Sequence, residues 1–195
     1  MNNTIDFYNS NAEAYFRKTA DTDMTDAYGR FLQHIPPGGS IADLGCGSGR
    51  DSLWFRQHGY KVSALDASPE MCRLATAYAG VKVQCCTLQD WQPAEKYDGL
   101  WACASLLHLR EQEIYDFFAR KKRCLNPGGV IFASLKTAVS TGTDGGGRYF
   151  CNFTEAMLQR ILRENADLRL LELWHADDGL GRNVKWICFE VGAGK

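Results

Sequence analysis

Three glycines with an aspartate just upstream form the stretch of this sequence best suited to bind a ligand. Residues 41–50 read Ile-Ala-Asp-Leu-Gly-Cys-Gly-Ser-Gly-Arg, so Asp43 lies two residues before Gly45. Glycine lets the backbone come close to a bound molecule, and a helix that starts at Arg50 offers free N–H groups. A strand, a glycine loop and a helix in this order predict a cradle for a nucleotide-type ligand.

The glycine spacing excludes two common phosphate-binding loops. A dinucleotide fingerprint that begins at Gly45 needs glycine at position 50, where this chain has arginine, and the Gly-Lys-Ser/Thr of a P-loop is absent. A pyrophosphate has no use for a carboxylate at Asp43, whereas a cationic amine is a good partner for one. The alternative for Asp43 alone is a local cap or loop acceptor.

Two further carboxylates follow the next predicted strands. Asp66 ends the second strand, where an acid can accept hydrogen bonds from both ribose hydroxyls of an adenosine. Asp90 follows the third strand, where it can accept from the exocyclic amine of adenine. An amine, a ribose and an adenine without phosphate describe S-adenosylmethionine (SAM). A structural role remains the alternative for either residue taken alone.

Strands and helices alternate around these residues. Apolar patterns predict strands at 40–44, 61–66, 81–85, 97–103 and 130–135, with helices between them. This order predicts an α/β fold with a doubly wound parallel sheet. Two final strands, 168–175 and 184–191, flank the turn sequence Asp-Asp-Gly-Leu-Gly, so we expect a hairpin with one antiparallel edge strand.

The segments outside this alternation are predicted to close the site. Amphipathic patterns predict one helix in residues 5–20 and a second from Asp23 that ends at Pro36. We expect a single domain in which residues 1–36 are a helical cover and residues 37–195 are the core. The glycine-rich stretch 137–147 is predicted to be a mobile loop and a candidate lid.

The glycine stretch resembles the first motif of the class I SAM-dependent methyltransferases. Later motifs of that family match Asp66, Gln89-Asp90, Tyr97-Asp98 and Leu125-Asn-Pro-Gly-Gly129. The chain also resembles small bacterial methyltransferases of the type 11/12 and tellurite-resistance-like groups, through Tyr8, Asn11, Ala12, Thr19 and Asp23-Met24. The resemblance implies a Rossmann-like, seven-stranded sheet with an antiparallel last strand and helices on both faces.

The resemblance also implies how SAM binds and what is formed from it. The sulfonium is expected near Gly45 with its methyl group toward the end of the fourth strand, and S-adenosylhomocysteine is the expected product. We expect in-line methyl transfer to a small molecule without a metal. The residues expected to bind SAM are Asp43, Gly45, Cys46, Gly47, Gly49, Arg50, Asp66, Ala67, Gln89, Asp90, Trp91, Ala104 and Ser105.

His108 is the ionisable side chain closest in sequence to the expected methyl group. It can act as a general base on an acceptor O–H, N–H or thiol, or it can be a loop histidine with a structural hydrogen bond. The residues expected to face the acceptor are Tyr8, Tyr15, Arg148, Tyr149 and Arg182. The arginines can bind an anion or lie solvated at an edge, and Tyr8, Tyr15 and Trp101 can close the pocket or pack in the core.

Composition limits the other functions. A net charge of −1 over 195 residues gives no general attraction to nucleic acid or anionic membranes. Eight cysteines without a C-x-x-C pair predict reduced thiols, and the absence of a basic, apolar N-terminal leader makes the cytoplasm the expected location. The charge does not decide between a monomer and a dimer.

Two alternatives stay open at this point. The first is a methyltransferase that acts on RNA or protein; against it, residues 102–105 read Ala-Cys-Ala-Ser where many amino-methylating enzymes carry Asn/Asp-Pro-Pro and an aromatic residue. The second is a SAM-binding module without turnover, since no residue is unambiguously catalytic.

Overall fold

In the computed structural model of the protein, residues 3–93, 95–177 and 185–193 are described. The strands are β1 (Ser40–Leu44), β2 (Lys61–Asp66), β3 (Val83–Cys85), β4 (Tyr97–Cys103), β5 (Leu125–Thr137), β6 (Gly142–Thr143), β7 (Tyr149–Phe150), β8 (Leu168–Asp177) and β9 (Lys185–Ala193). The α-helices are α1 (Asn3–Ser10), α2 (Ala12–Thr19), α3 (Thr25–Leu32), α4 (Arg50–Gln57), α5 (Pro69–Ala79), α6 (Glu111–Lys121) and α7 (Glu155–Glu164). Short 3₁₀ helices span Leu106–His108 and Lys122–Cys124.

The main sheet has seven strands in the order β3-β2-β1-β4-β5-β9-β8. Strands β1 to β5 run parallel, and β9 runs antiparallel to both of its neighbours. This confirms the predicted Rossmann-like fold. The order reverses between β1 and its neighbours β2 and β4, which opens a crevice at the carboxyl ends of these strands, where ligands bind in such sheets.

The predicted position of the antiparallel strand was wrong. We expected it at an edge, but β9 lies between β5 and β8, and the edge strand β8 runs parallel to β5. Burial explains the choice, because residues 187–192 of β9 are all buried while residues 170–174 of β8 are only half-buried. The more apolar strand of the hairpin therefore takes the inner place.

Helices pack on the sheet through two apolar clusters. On one face, the buried residues Ile114 and Phe118 of α6 join Leu158 and Ile161 of α7. On the other, Phe31 and Phe55 of α3 and α4 pack with Trp101 and Phe132. Trp101 is fully buried in this second cluster, so it belongs to the core and does not close the pocket. No described helix has the length and apolarity that crossing a membrane requires.

Several local predictions needed correction. The helix predicted in residues 5–20 is two helices that meet at Asn11, and β5 begins at Leu125, so the Asn-Pro-Gly-Gly stretch lies within the strand. The stretch 137–147, predicted to be a mobile loop, contributes β6 to a small hairpin with β7. The carboxylate of Asp144 closes that hairpin by accepting from the backbone N–H groups of Gly146 and Arg148, at 3.0 and 2.9 Å.

Candidate cofactor and acceptor site

A cavity of about 600 Å³ opens at the carboxyl ends of β1, β2 and β4, beneath α1 and α2. Its size and position are those of a small-molecule site in an open α/β sheet. It brings together many of the side chains predicted from the sequence. Those that line it are Tyr8, Tyr15, Gly45, Gly47, Asp66, Ala67, Gln89, Ala104, Ser105, His108 and Tyr149.

The glycine loop needs its glycines for shape as well as for ligand access. Gly45 and Gly49 both have φ +79°, in the left-handed region that side chains disfavour. A Cβ added at Gly45 would lie 2.6 Å from Cβ of Ser105, and one at Gly49 would lie 3.0 Å from Cβ of Ala75. The loop is therefore pressed against the segment after β4 on one side and against α5 on the other.

Asp66 ties the glycine loop to the end of β2. Its carboxylate accepts from the backbone N–H groups of Gly47 and Ser68, each at 2.9 Å. Burial raises the pKa of Asp66, and these backbone hydrogen bonds oppose that rise. One bond to each oxygen leaves acceptor capacity on both, and the side chain lines the cavity. The arrangement suits a diol, as predicted.

Asp90 and Trp91 do not line the cavity, which departs from the prediction. Asp90 is exposed and accepts at 2.7 Å from Oγ1 of Thr87, which closes a turn. Trp91 is buried against Tyr97 in the core. The cavity wall at this end comes from residues 86–89, just before the predicted positions.

Asp43, Cys46, Gly49 and Arg50 also differ from the prediction, since they lie outside the cavity lining. Asp43 is 1% exposed and accepts at 2.6 Å from Oγ of Ser52, on α4. These residues form the floor beneath the glycine loop. They support the loop from below, and their contact with a ligand stays a prediction.

A buried charged network in this floor joins two residues named from the sequence, Arg50 and Trp101, to two that were not, Tyr28 and Asp51. Asp51 accepts from Arg50 at 2.6 and 2.9 Å, from the Tyr28 hydroxyl, and from Nε1 of Trp101 at 2.8 Å. Burial raises the pKa of Asp51, but Arg50 and these donors outweigh it and the net shift is downward. Burial and the negative Asp51 together raise the pKa of Asp43. The sequence signal that could have indicated this network is a tyrosine and a tryptophan at apolar positions, since each carries a polar group that needs a hydrogen-bond partner when buried.

The chain turns sharply after β4 to form the far end of the cavity. Ala104 has φ +53°, which is rare for a residue other than glycine, and its N–H donates to Oγ of Ser134 at 2.9 Å. The hydroxyl of Ser105 is buried at the cavity wall and has no hydrogen-bond partner within the described residues. Buried hydroxyls are normally paired, so this one is a polar group left unsatisfied at the wall of the cavity.

His108 lies at the same end, held by two hydrogen bonds. Nδ1 is 2.7 Å from the carbonyl oxygen of Tyr149, and Nε2 is 2.9 Å from the hydroxyl of Tyr8. Burial lowers the pKa of His108 to about 4, helped by Arg148 and Lys136 and opposed by the Tyr149 carbonyl. The ring is therefore neutral near pH 7. Its lone pair faces Tyr8, so the predicted direct contact between this base and the acceptor is not available.

Helix α1, the roof of the cavity, contacts the rest of the site through hydrogen bonds and through the half-buried rings of Phe7 and Tyr8, which meet Arg148 and His108. None of the residues of α1 is buried. Oγ1 of Thr4 accepts from the N–H of Tyr149 at 3.0 Å, and Oδ1 of Asn9 accepts from Oγ of Ser68 at 2.6 Å. Sequence reasoning missed both residues, because neither type nor spacing marks them.

Arg148 does not offer its charge to the cavity as predicted. Its guanidinium donates to Asp144 at 2.7 and 3.0 Å and lies over the rings of Phe7 and Phe150. Arg182, the other predicted anion-binding residue, lies outside the described residues. No cluster of three or more potential metal ligands occurs in the described ranges 3–93, 95–177 and 185–193.

Comparison with known proteins agrees with this geometry. The model of a family described as "Methyltransferase domain" matches residues 41–129, from β1 into β5. The match spans 89 of the 195 residues and, together with the fold, supports a class I SAM-dependent methyltransferase. The predicted family is thereby confirmed, while the tellurite-resistance-like subgroup stays a prediction.

One relative by sequence matches about half of this chain. Trans-aconitate 2-methyltransferase from Escherichia coli is 32% identical over 98 residues, which cover 49% of this chain and 38% of that protein. The match thus spans well under half of the relative's length.

Two solved structures share the fold along nearly the whole methyltransferase. A Burkholderia thailandensis 1,6-didemethyltoxoflavin-N1-methyltransferase, with 1,6-didemethyltoxoflavin and S-adenosylhomocysteine bound, gives a TM-score of 0.76 at 21% identity; 98% of this chain and 85% of that chain are covered. The magnesium protoporphyrin IX methyltransferase of Synechocystis PCC 6803, with S-adenosylhomocysteine bound, gives 0.77 at 17% identity and covers 97% of each chain.

Proposed function

We propose that this methyltransferase binds SAM along the glycine loop and methylates a small molecule held under α1 by in-line displacement, without a metal. The observation that carries the proposal is the continuous cavity. It runs from the Asp66 carboxylate past Gly45 and Gly47 to the Ser105 hydroxyl and His108. Bound SAM supplies an activated methyl group on a sulfonium.

The residues present fit this cofactor. Asp66 keeps acceptor capacity for a ribose diol, and Ala67 and Gln89 continue the wall beside it. The close approach of Gly45 to Ser105 leaves backbone, and no side chain, facing the sulfonium position. Asp43 beneath the loop is a buried acid whose ionised form a cation above would favour.

The cavity extends beyond the expected methyl position, which supports turnover over a sealed binding module. Tyr8, His108 and Tyr149 line that extension. In-line transfer to a good leaving group depends mainly on alignment, which these side chains can provide. The names of the E. coli and B. thailandensis relatives refer to small molecules, which supports an acceptor of that class here. No observation favours RNA or protein.

The test is a pair of aspartate variants in the two positions where sequence motifs predict contact. We expect Asp66→Ala to weaken SAM binding at least about tenfold in calorimetry, because charge-assisted hydrogen bonds contribute about 1.5–3 kcal/mol. Asp90→Ala, outside the cavity, should stay within about twofold of the parent, by the same rule for an exposed group.

Turnover is measured separately, as S-adenosylhomocysteine released in the presence of a small-molecule library. Thermal unfolding of both variants controls for loss of the fold. Failure of the unaltered protein to bind SAM would overturn the proposal, as would equal losses in Asp66→Ala and Asp90→Ala.

A further inference from the structure

We infer that the Tyr8 hydroxyl takes the proton of the methyl acceptor, with His108 as the positioning residue behind it, so that the acceptor is a protic hydroxyl, amine or thiol compound. This inference rests on the proposed function and adds the chemical class of the acceptor. It replaces the direct role for His108 expected from the sequence.

Hydrogen-bond chemistry fixes which atoms carry the protons. The carbonyl oxygen of Tyr149 can only accept, so Nδ1 of His108, 2.7 Å away, carries its proton. Nε2 of a neutral ring then has a lone pair and accepts from the Tyr8 hydroxyl at 2.9 Å. The hydroxyl proton of Tyr8 is committed to His108. Any other partner of this oxygen must therefore be a donor.

Tyr8 lines the cavity together with His108 and Ser105. On that basis we place the Tyr8 oxygen beside the acceptor. Burial raises the pKa of Tyr8, and the charge of Arg148 with side-chain hydrogen bonds from Arg148 and Tyr15 lowers it only in part, so the net pKa is raised. A carboxylate acceptor would bring its own lone pairs against this oxygen, whereas an O–H, N–H or S–H group would donate to it.

The transfer of protons balances the transfer of the methyl group. The acceptor heteroatom bonds to the methyl carbon as the methyl–sulfur bond breaks, with its electron pair left on sulfur. The acceptor proton moves to Oη of Tyr8 while the proton of Tyr8 moves to Nε2 of His108, and Nδ1–H keeps its bond to Tyr149. The imidazolium forms as the sulfonium charge disappears, so the net charge in the cavity is unchanged.

The groups around His108 keep its base form available. Arg148 from the β6–β7 hairpin and Lys136 from β5 are cations that disfavour the imidazolium, and Asp144 from the hairpin favours it. Tyr8 of α1 and the Tyr149 carbonyl complete the surroundings. His108 therefore holds no proton on Nε2 before the step. The same burial and cations make it a weak base, and the loss of the sulfonium charge in the step offsets the imidazolium that forms.

The first test needs no acceptor. The ring nitrogens of His108 are followed by ¹⁵N NMR in the intact protein with SAM bound, and His108→Asn assigns the signals. We expect a protonated Nδ1, an unprotonated Nε2 and no titration of the ring between about pH 6 and 8, since it remains neutral there. A protonated Nε2, or a ring that titrates in that window, would overturn the inference.

The second test uses SAM with phenol, benzylamine, benzyl mercaptan or benzoate as probe acceptors, and measures released S-adenosylhomocysteine. Turnover should be confined to the three protic probes. Turnover of benzoate alone, or of no probe while SAM still binds, would refute the acceptor class. Failure to bind SAM would instead refute the proposed function.

Variants then separate proton transfer from placement. Tyr8→Phe should lower kcat at least about tenfold at unchanged SAM affinity. The glutamine of His108→Gln can keep both hydrogen bonds but is not basic. Its kcat should therefore be lower than that of the parent at neutral pH, and should recover as the pH is raised. Tyr115→Phe, which loses a hydroxyl bound to Glu111 on α6, is the matched control. Full kcat in Tyr8→Phe, or in His108→Gln at all pH values, would show that the pair is only structural.

Discussion

The two ends of the cavity are built in different ways. At the end formed by Asp66 and residues 86–89, the adenosine half, the side-chain hydrogen bonds of Asp66 and Thr87 join residues 2, 3 or 19 positions apart in the chain. At the end formed by α1, Ser105–Arg110 and β6–β7, the acceptor half, they join residues 41, 100 and 145 positions apart. One half is therefore local in sequence, and the other is assembled by the fold.

Burial also differs between the two halves, and the half that is local in sequence is the more buried one. Strands β1 and β4, which carry the glycine loop and the segment after it, are buried along most of their length. The roof helix α1 buries no side chain. The adenosine half thus shares the stability of the core, whereas the acceptor half depends on individual polar contacts worth about 1 kcal/mol each.

The largest effect is expected where the halves meet, at Gly45. Gly45→Ala places a Cβ 2.6 Å from Ser105 at a φ of +79°, so the loop and Ser105 must both move. We expect SAM affinity to fall by at least about 100-fold, since left-handed strain of about 1–2 kcal/mol adds to the clash.

Gly38→Ala is the matched control for that change. It has φ +72° with no atom closer than 3.9 Å to the added Cβ, so it carries the strain without the clash. It should lower the unfolding free energy by about 1 kcal/mol and leave SAM affinity unchanged. Calorimetry and thermal unfolding separate the two; equal affinities would mean that the halves do not share Gly45 as a wall.

A change outside both halves should alter the stability of the fold and leave the binding of both ligands unchanged. Glu190 on β9 is fully buried, makes no hydrogen bond within the described residues although Nε2 of His34 lies 3.3 Å from Oε2, and burial with the nearby Glu172 raises its pKa to about 7. Between about pH 4.5 and 7 the folded chain keeps a proton that the unfolded chain has lost. Stability therefore falls as pH rises through this window, by up to about 3 kcal/mol, and then stays level.

Glu190→Gln should remove that loss. Denaturant unfolding at pH 5 and pH 8 should show the variant to be more stable than the parent at pH 8 and similar to it at pH 5. SAM affinity should be the same for both proteins at each pH. A variant that keeps the slope between pH 5 and 7 would assign the pH dependence to other groups.

The smallest effect tests the independence of the halves with two threonines. Thr4→Val removes the acceptor for the N–H of Tyr149, so KM for a protic acceptor should rise about fivefold at unchanged SAM affinity. Thr87→Val removes a hydroxyl from the adenosine wall and the acceptor for the backbone N–H of Asp90, a bond that Asp90→Ala keeps, so it should weaken SAM binding by a similar factor at unchanged acceptor KM. If acceptor KM and SAM affinity both change in each variant, the two halves are coupled.

What the sequence could predict follows the same division. The bounds of β1, β2 and β4 were predicted correctly, because short apolar runs before glycine or aspartate are local signals. Ser68 and Thr154 cap their helices as their types suggest, each accepting from the N–H three residues on. Gly45, Gly47 and Asp66 also line the cavity, since motif spacing marks them.

The remaining features depend on partners far along the chain. The inner position of β9 in the sheet is decided by its pairing with β5. The hairpin that Asp144 closes forms because β7 pairs with β6. His108 was predicted as a base because its type allows it, but its two hydrogen bonds come from α1 and β7. No spacing in one sequence shows that Tyr8 would meet it.

The unburied roof has a consequence for how such an enzyme can diversify. Substitutions on α1 change what faces the acceptor, and they remove only half-buried apolar surface from the folding free energy. The sheet can therefore be retained while the roof is varied. A lineage that carries this architecture can acquire new substrates by altering residues of α1 other than Tyr8, at a small cost to the fold.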